Sequence, residues 1–76
     1  MNCNYRTVVE LTSGCHKIVR LSYTQVAHVV SEVNKFRRNI FSGVKTITLN
    51  GVTLCLNEII SWKFINERTG QELLTI

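Results

Sequence analysis

Proline and aspartate are both missing from this chain of 76 residues. With no proline, no low-complexity stretch and no polar linker, nothing divides the sequence, and residues 1–76 are expected to form one domain. Without aspartate, the only side-chain carboxylates are Glu10, Glu32, Glu58, Glu67 and Glu72. None has a second carboxylate at the spacing that general acid and base work needs, so no catalytic residue is assigned and an enzyme is not expected. Cys3, Cys15 and Cys55 are odd in number and lie outside any Cys-x-x-Cys pattern, which fits a reducing, cytoplasmic setting better than a disulfide framework. Taken with His16 and His28 they lack the paired spacing of zinc ligands, so neither a metal nor a cofactor is expected. Adjacent residues entering a strand point to opposite faces, which prevents Cys15 and His16 from serving as nucleophile and base. No run approaches the roughly 18 apolar residues of a membrane span, and Met1–Arg6 has no basic region leading into an apolar stretch. The four glycines fall one per turn and nowhere form a phosphate-cradling loop.

Against these absences, 45% of the residues are hydrophobic and only 18% charged, more apolar than a small monomeric surface requires. Short chains bury a small share of their surface, so part of this excess is expected to face another protein, a second copy included. Residues 5–11 alternate, with Tyr5, Thr7, Val9 and Leu11 on one side, as a half-buried strand does. Thr12-Ser13-Gly14-Cys15 forms a turn, and residues 16–21 return as the second strand of a hairpin. Ser22 and Gln25 have the spacing of a reciprocal helix cap, with Leu21 and Val26 placed as its hydrophobic staple. Val26, Val29, Val30 and Val33 then recur at helical spacing and predict an amphipathic helix over about 23–39, continued by Phe36 and Ile40. Gln25, His28, Glu32, Lys35 and Arg38 or Asn39 run down its opposite face, and His28 with Glu32 makes at most a surface pair.

Asn50-Gly51 supplies the two positive-φ residues of a type I′ turn. With these as the turn, Leu49 faces Val52, Ile47 faces Leu54, Thr48 faces Thr53 and Thr46 faces Cys55, and the large aliphatics share one face. After a bend at Asn57-Glu58, a strand over 59–65 is expected to point Ile60, Trp62 and Phe64 inward and Ile59, Lys63 and Ile65 outward. Trp62 reads either as core or as an interface anchor. A turn around Gly70 leads into a short last strand over 72–76. The fold class is therefore α+β. An antiparallel sheet of about four to six strands, in the order ββαββ with one or two more, carries the helix on one face.

The stretch Thr46-Ile47-Thr48-Leu49-Asn50-Gly51-Val52-Thr53-Leu54-Cys55-Leu56-Asn57-Glu58-Ile59-Ile60-Ser61 resembles small, mostly uncharacterised α+β proteins of bacteria and their phages, in which a similar Asn-Gly hairpin and a Leu-Asn-x-x-x-Ile ending follow a helix. The resemblance covers the second half of the chain and implies a bacterial or phage origin and a small accessory role. It brings no site residue with it.

Two functional readings follow. One is a non-enzymatic interaction module that self-associates, for instance as a homodimer, or binds another protein through a sheet face or edge; its candidate interface is Thr46, Thr48, Ile59, Lys63 and Ile65. The other is a nucleic-acid-binding accessory protein, for which a net charge of +4 and the cluster Lys35, Arg37, Arg38 and Lys45 at the helix end are the candidate contacts. The same cations also suit the carbonyl end of a helix and the solubility of the chain. No second helix forms a helix-turn-helix and no aromatics alternate with basic residues, which favours the first reading.

Overall fold

β1 (Asn4–Leu11) buries Tyr5, Thr7 and Val9, as its alternation requires, and leaves Arg6, Val8 and Glu10 on the other face. A computed structural model describes residues 4–38 and 43–76, and in it β1 pairs with β2 (His16–Ser22) across the expected turn. α1 (Tyr23–Arg38) follows at once. Ser22 N–H donates to Gln25 Oε1 at 2.9 Å and Gln25 N–H donates to Ser22 Oγ at 3.3 Å, so the reciprocal cap is formed. Leu21 and Val26 of the staple are both buried, as are Val29 and Val33 of the stripe, and Phe36 packs against the same core. Cys3, Asn39 and Ile40 lie outside the described residues.

β3 (Thr46–Leu49) and β4 (Val52–Cys55) pair in the register set by the Asn-Gly turn, with Asn50 at φ +49° and Gly51 at φ +81°. Ile47, Leu49 and Leu54 are buried; Val52 is on their face but beside the turn, and is 37% exposed. A 3₁₀ turn over Leu56–Glu58 leads into β5 (Ile59–Asn66), and β6 (Glu72–Thr75) closes the chain order. The six strands among the described residues divide into two sheets. One has the order β2-β1-β5-β6, and the β3-β4 hairpin stands as the other. Helix and hairpin together cover one face of the larger sheet, where Trp62 and Phe64 stack at 6.4 Å between ring centroids. Trp62 is thus a core residue.

The expected facing of the first β5 residues is reversed. β1 pairs Glu10 with Ser61 and Leu11 with Ile59, so Ile60 is an extra residue bulged out of the ladder. The bulge resets the alternation. Ile59 packs against the core, while Ile60 is 52% exposed.

Asparagine side chains bind the irregular parts. Asn57 Oδ1 accepts Lys45 N–H at 2.9 Å and its Nδ2 donates to Gly43 O at 2.9 Å, closing the open end of the β3-β4 hairpin. Asn50 Nδ2 donates to Arg20 O at 2.6 Å and its Oδ1 accepts from Gln25 Nε2 at 2.8 Å, which joins the hairpin turn to β2 and to the helix cap. Replacement Asn50→Gly keeps the turn's backbone but removes both bonds, and should lower unfolding free energy by about 1–2 kcal/mol in urea titration. Asn50→Ala should cost more, because alanine resists the positive φ.

Among the described residues, one buried side-chain polar atom has no partner. Thr7 is fully buried in the row Val19-Thr7-Phe64, and its Oγ1 bonds to nothing. Thr7→Val keeps the shape and removes the unsatisfied hydroxyl, so the midpoint of urea unfolding should rise, by an amount equivalent to about 1 kcal/mol.

Candidate interaction edge and groove

The last strand is positioned by Asn66. Its Oδ1 accepts N–H bonds from Arg68 at 2.8 Å and Thr69 at 3.3 Å, and its carbonyl accepts Gly70 N–H at 2.8 Å, with Gly70 at φ +74°. The chain reverses and β6 lies antiparallel on β5 as an edge of the sheet. Trp62 and Ile76 exchange both backbone bonds, at 3.0 and 2.8 Å. Alternation along an antiparallel ladder therefore turns the N–H and C=O of Thr75 outward, away from β5. Phe64 pairs with Leu74 and Ile65 with Glu72, so Leu73 is a bulge residue without a partner on β5.

The two edges of the sheet differ. β2 carries Lys17 and Arg20, and the Asn50 amide occupies the Arg20 carbonyl. Charge and a capped carbonyl are common means of blunting an edge. β6 has Glu72 alone among charged residues, no proline, and no side chain bonded onto its outer backbone among the described residues.

A groove of about 350 Å³ runs between β6 and α1, lined by Tyr23, Val26, Ala27, Val30, Ser31, Leu73 and Leu74. No lining residue is charged, although the chain carries +4. Tyr23 is 62% and Leu73 44% exposed, so two large apolar side chains stand in water at its rim. Such a groove next to open backbone groups can hold an extended peptide.

A second cleft, of about 460 Å³, lies on the uncovered sheet face between Arg6, Arg20, Ile65 and Glu67. Arg6 and Arg20 are direct cross-strand partners, and Arg20 Nε bonds Glu67 Oε1 at 2.9 Å. That pair is exposed and contributes little to stability. The cleft is larger but its lining mixes polar and apolar surface, and half of its cationic character is neutralised by Glu67; the uncharged apolar groove is the more unusual surface.

The candidate residues read from the sequence do not share one surface. Lys63 and Ile65 are on the uncovered face of the large sheet, Lys63 within 3.9 Å of Glu72, whereas Thr46 and Thr48 are on the outer face of the hairpin, where Thr48 and Thr53 hydroxyls meet at 3.0 Å. Ile59 faces the core. Of the cationic set, Lys35 pairs with Glu32 at 3.3 Å, Arg37 Nη2 donates to Ile60 O at 3.4 Å, Lys45 is held through its backbone by Asn57, and Arg38 is exposed at the last described position of α1. Glu32 is thus engaged by Lys35. Among the described residues no three His, Cys, Asp or Glu side chains converge to hold a metal, and no helix is long and apolar enough to cross a membrane. The sequence carries a signal for the groove: Tyr23 and Ala27, one helical turn apart, widen the apolar face beside Val26 and Val30 of the valine stripe.

Comparison with known protein families, curated proteins and solved structures found no match.

Because Ala27 and Leu73 are exposed and lie outside the core, Ala27→Lys and Leu73→Lys should each leave unfolding free energy within about 0.5 kcal/mol of the parent chain, as read by urea titration.

Proposed function

We propose that this protein is a non-enzymatic interaction module that takes up an extended segment of polypeptide along β6, adding a strand to its sheet. The observation that carries the reading is the uncharged groove of Tyr23, Ala27, Val30, Leu73 and Leu74 beside an edge with free backbone groups at Thr75. Main-chain bonds to the edge would supply affinity, and side chains alternating into the groove would supply selectivity. A small accessory role of phage or bacterial type suits a chain whose most unusual surface is a binding edge.

Peptides selected from a random displayed library against the parent chain test this. They should be apolar at alternate positions, perturb the amide resonances of Tyr23, Leu73 and Thr75, and bind about tenfold more weakly to Leu73→Lys. A selection that yields only peptides leaving those amides unmoved would count against the reading.

A further inference from the structure

We infer that the cleft at Arg6 and Arg20 is a binding site for one carboxylate group, carried by a small acid or a chain end whose apolar body lies against Ile65. The site is on the uncovered face of the large sheet, away from the groove beside β6, and the inference does not depend on the strand-addition reading.

The sheet register creates the site. Arg6 on β1 is the cross-strand partner of Arg20 on β2 and of Ile65 on β5, so two guanidinium side chains and an aliphatic one form a single row across three strands. Like charges set directly opposite destabilise an antiparallel pair, and the fold offsets only one of these two. Arg20 Nε bonds Glu67 Oε1 at 2.9 Å, and on the same face Lys63 is within 3.9 Å of Glu72. Arg6 has no hydrogen bond or ion pair among the described residues. Because Nε makes the Glu67 contact, the Nη groups of Arg20 remain as donors beside the whole fork of Arg6.

The turn bordering the row is firmly tied. Glu67 N–H donates to Asn4 O at 3.1 Å, Asn66 N–H to Gln71 O at 2.8 Å and Gly70 N–H to Asn66 O at 2.8 Å, so the walls contributed by Asn66, Glu67 and Gly70 are in place before any ligand arrives. The cleft of about 460 Å³ is within the range of small-ligand sites, roughly 300–1,000 Å³.

Charge selects the class of ligand. Two guanidinium groups against one carboxylate leave a single positive charge, which one further carboxylate neutralises. A phosphate group would bring a second negative charge toward Glu67 and be repelled by it. The arginine fork also matches a planar carboxylate with two parallel N–H···O bonds, and half-buried Ile65 beside Arg6 offers apolar contact to the group that carries it. The Arg20 side chain is 70% exposed, so the cations are hydrated and binding should be of millimolar strength.

NMR titration at constant ionic strength tests this, with N-acetyl-leucine, its uncharged amide and inorganic phosphate as probes. N-acetyl-leucine should move the Arg6 Nε–H and the Ile65 and Gly70 amide resonances along one saturable curve, and the uncharged amide should move none of them. Arg6→Gln should weaken binding about tenfold, since hydrogen bonds to a charged group are lost. Glu67→Gln removes the competing carboxylate, so N-acetyl-leucine should bind more tightly and phosphate should gain the most. A gain cannot come from a misfolded chain, so Glu67→Gln decides should Arg6→Gln lose its far-UV circular dichroism. Leu73→Lys, in the groove, should bind N-acetyl-leucine as the parent does. An N-acetylated tetrapeptide ending in leucine identifies the carrier: tighter binding than N-acetyl-leucine supports the site with a chain end as ligand, and equal or weaker binding supports it with a small acid. Shifts that do not saturate, equal shifts with the uncharged amide, indifference to Arg6→Gln, or phosphate binding the parent chain as tightly as the carboxylate overturns the inference.

Discussion

The carboxamides of Gln25 and Asn50 hold the covering layer to the large sheet. Gln25 Oε1 accepts the Ser22 N–H of the helix cap, and its Nε2 donates to Asn50 in the hairpin turn, whose own Nδ2 reaches the Arg20 carbonyl on β2. Helix start, hairpin turn and sheet edge are thereby fixed by two side chains. Each amide uses both its donor and its acceptor, so neither can turn over without breaking bonds at two elements. The buried valines of α1 and the aliphatics of β3 and β4 supply the attraction to the sheet, which has no direction of its own. The amide pair supplies the direction, setting where along the sheet each element begins.

That placement has a consequence on the far side of the molecule. Asn50 brings the hairpin turn to the β2 edge, where the turn amide also blunts the edge. At the other edge, α1 and β6 leave a groove between them, and no third element fills it among the described residues. Two of the exposed large hydrophobic side chains, Tyr23 and Leu73, stand on that flank. The proposed function rests on this asymmetry, since both edges belong to one sheet and only one is guarded.

Short-range features of the sequence carried well into the structure. The cap at Ser22 and Gln25, the Asn-Gly turn with its four strand pairs, the valine stripe and the alternation of β1 are set by atoms a few residues apart, and each was legible before any fold was known. The facing of Ile59 and Ile60 was not. Alternation alone assigns them one way, but the bulge opposite Glu10 and Leu11 depends on how β5 meets a strand some fifty residues earlier in the chain. The candidate interface failed to assemble for the same reason: Thr46 and Thr48 belong to a separate sheet from Lys63 and Ile65. Nothing local separates strands that pair into one sheet from strands that pair into two.

The sequence by itself determined the class of fold, the order of elements, the limits of the helix start and the register of one hairpin, because hydrogen-bonding side chains and apolar periodicity act within a turn or a hairpin. Only the tertiary structure decided that the strands split into two sheets, that Ile60 faces out, that Asn50 and Gln25 meet, and that Leu73 and Tyr23 line one groove. These outcomes depend on close packing between segments distant in the chain. Their cost and gain are felt only after the chain has closed on itself.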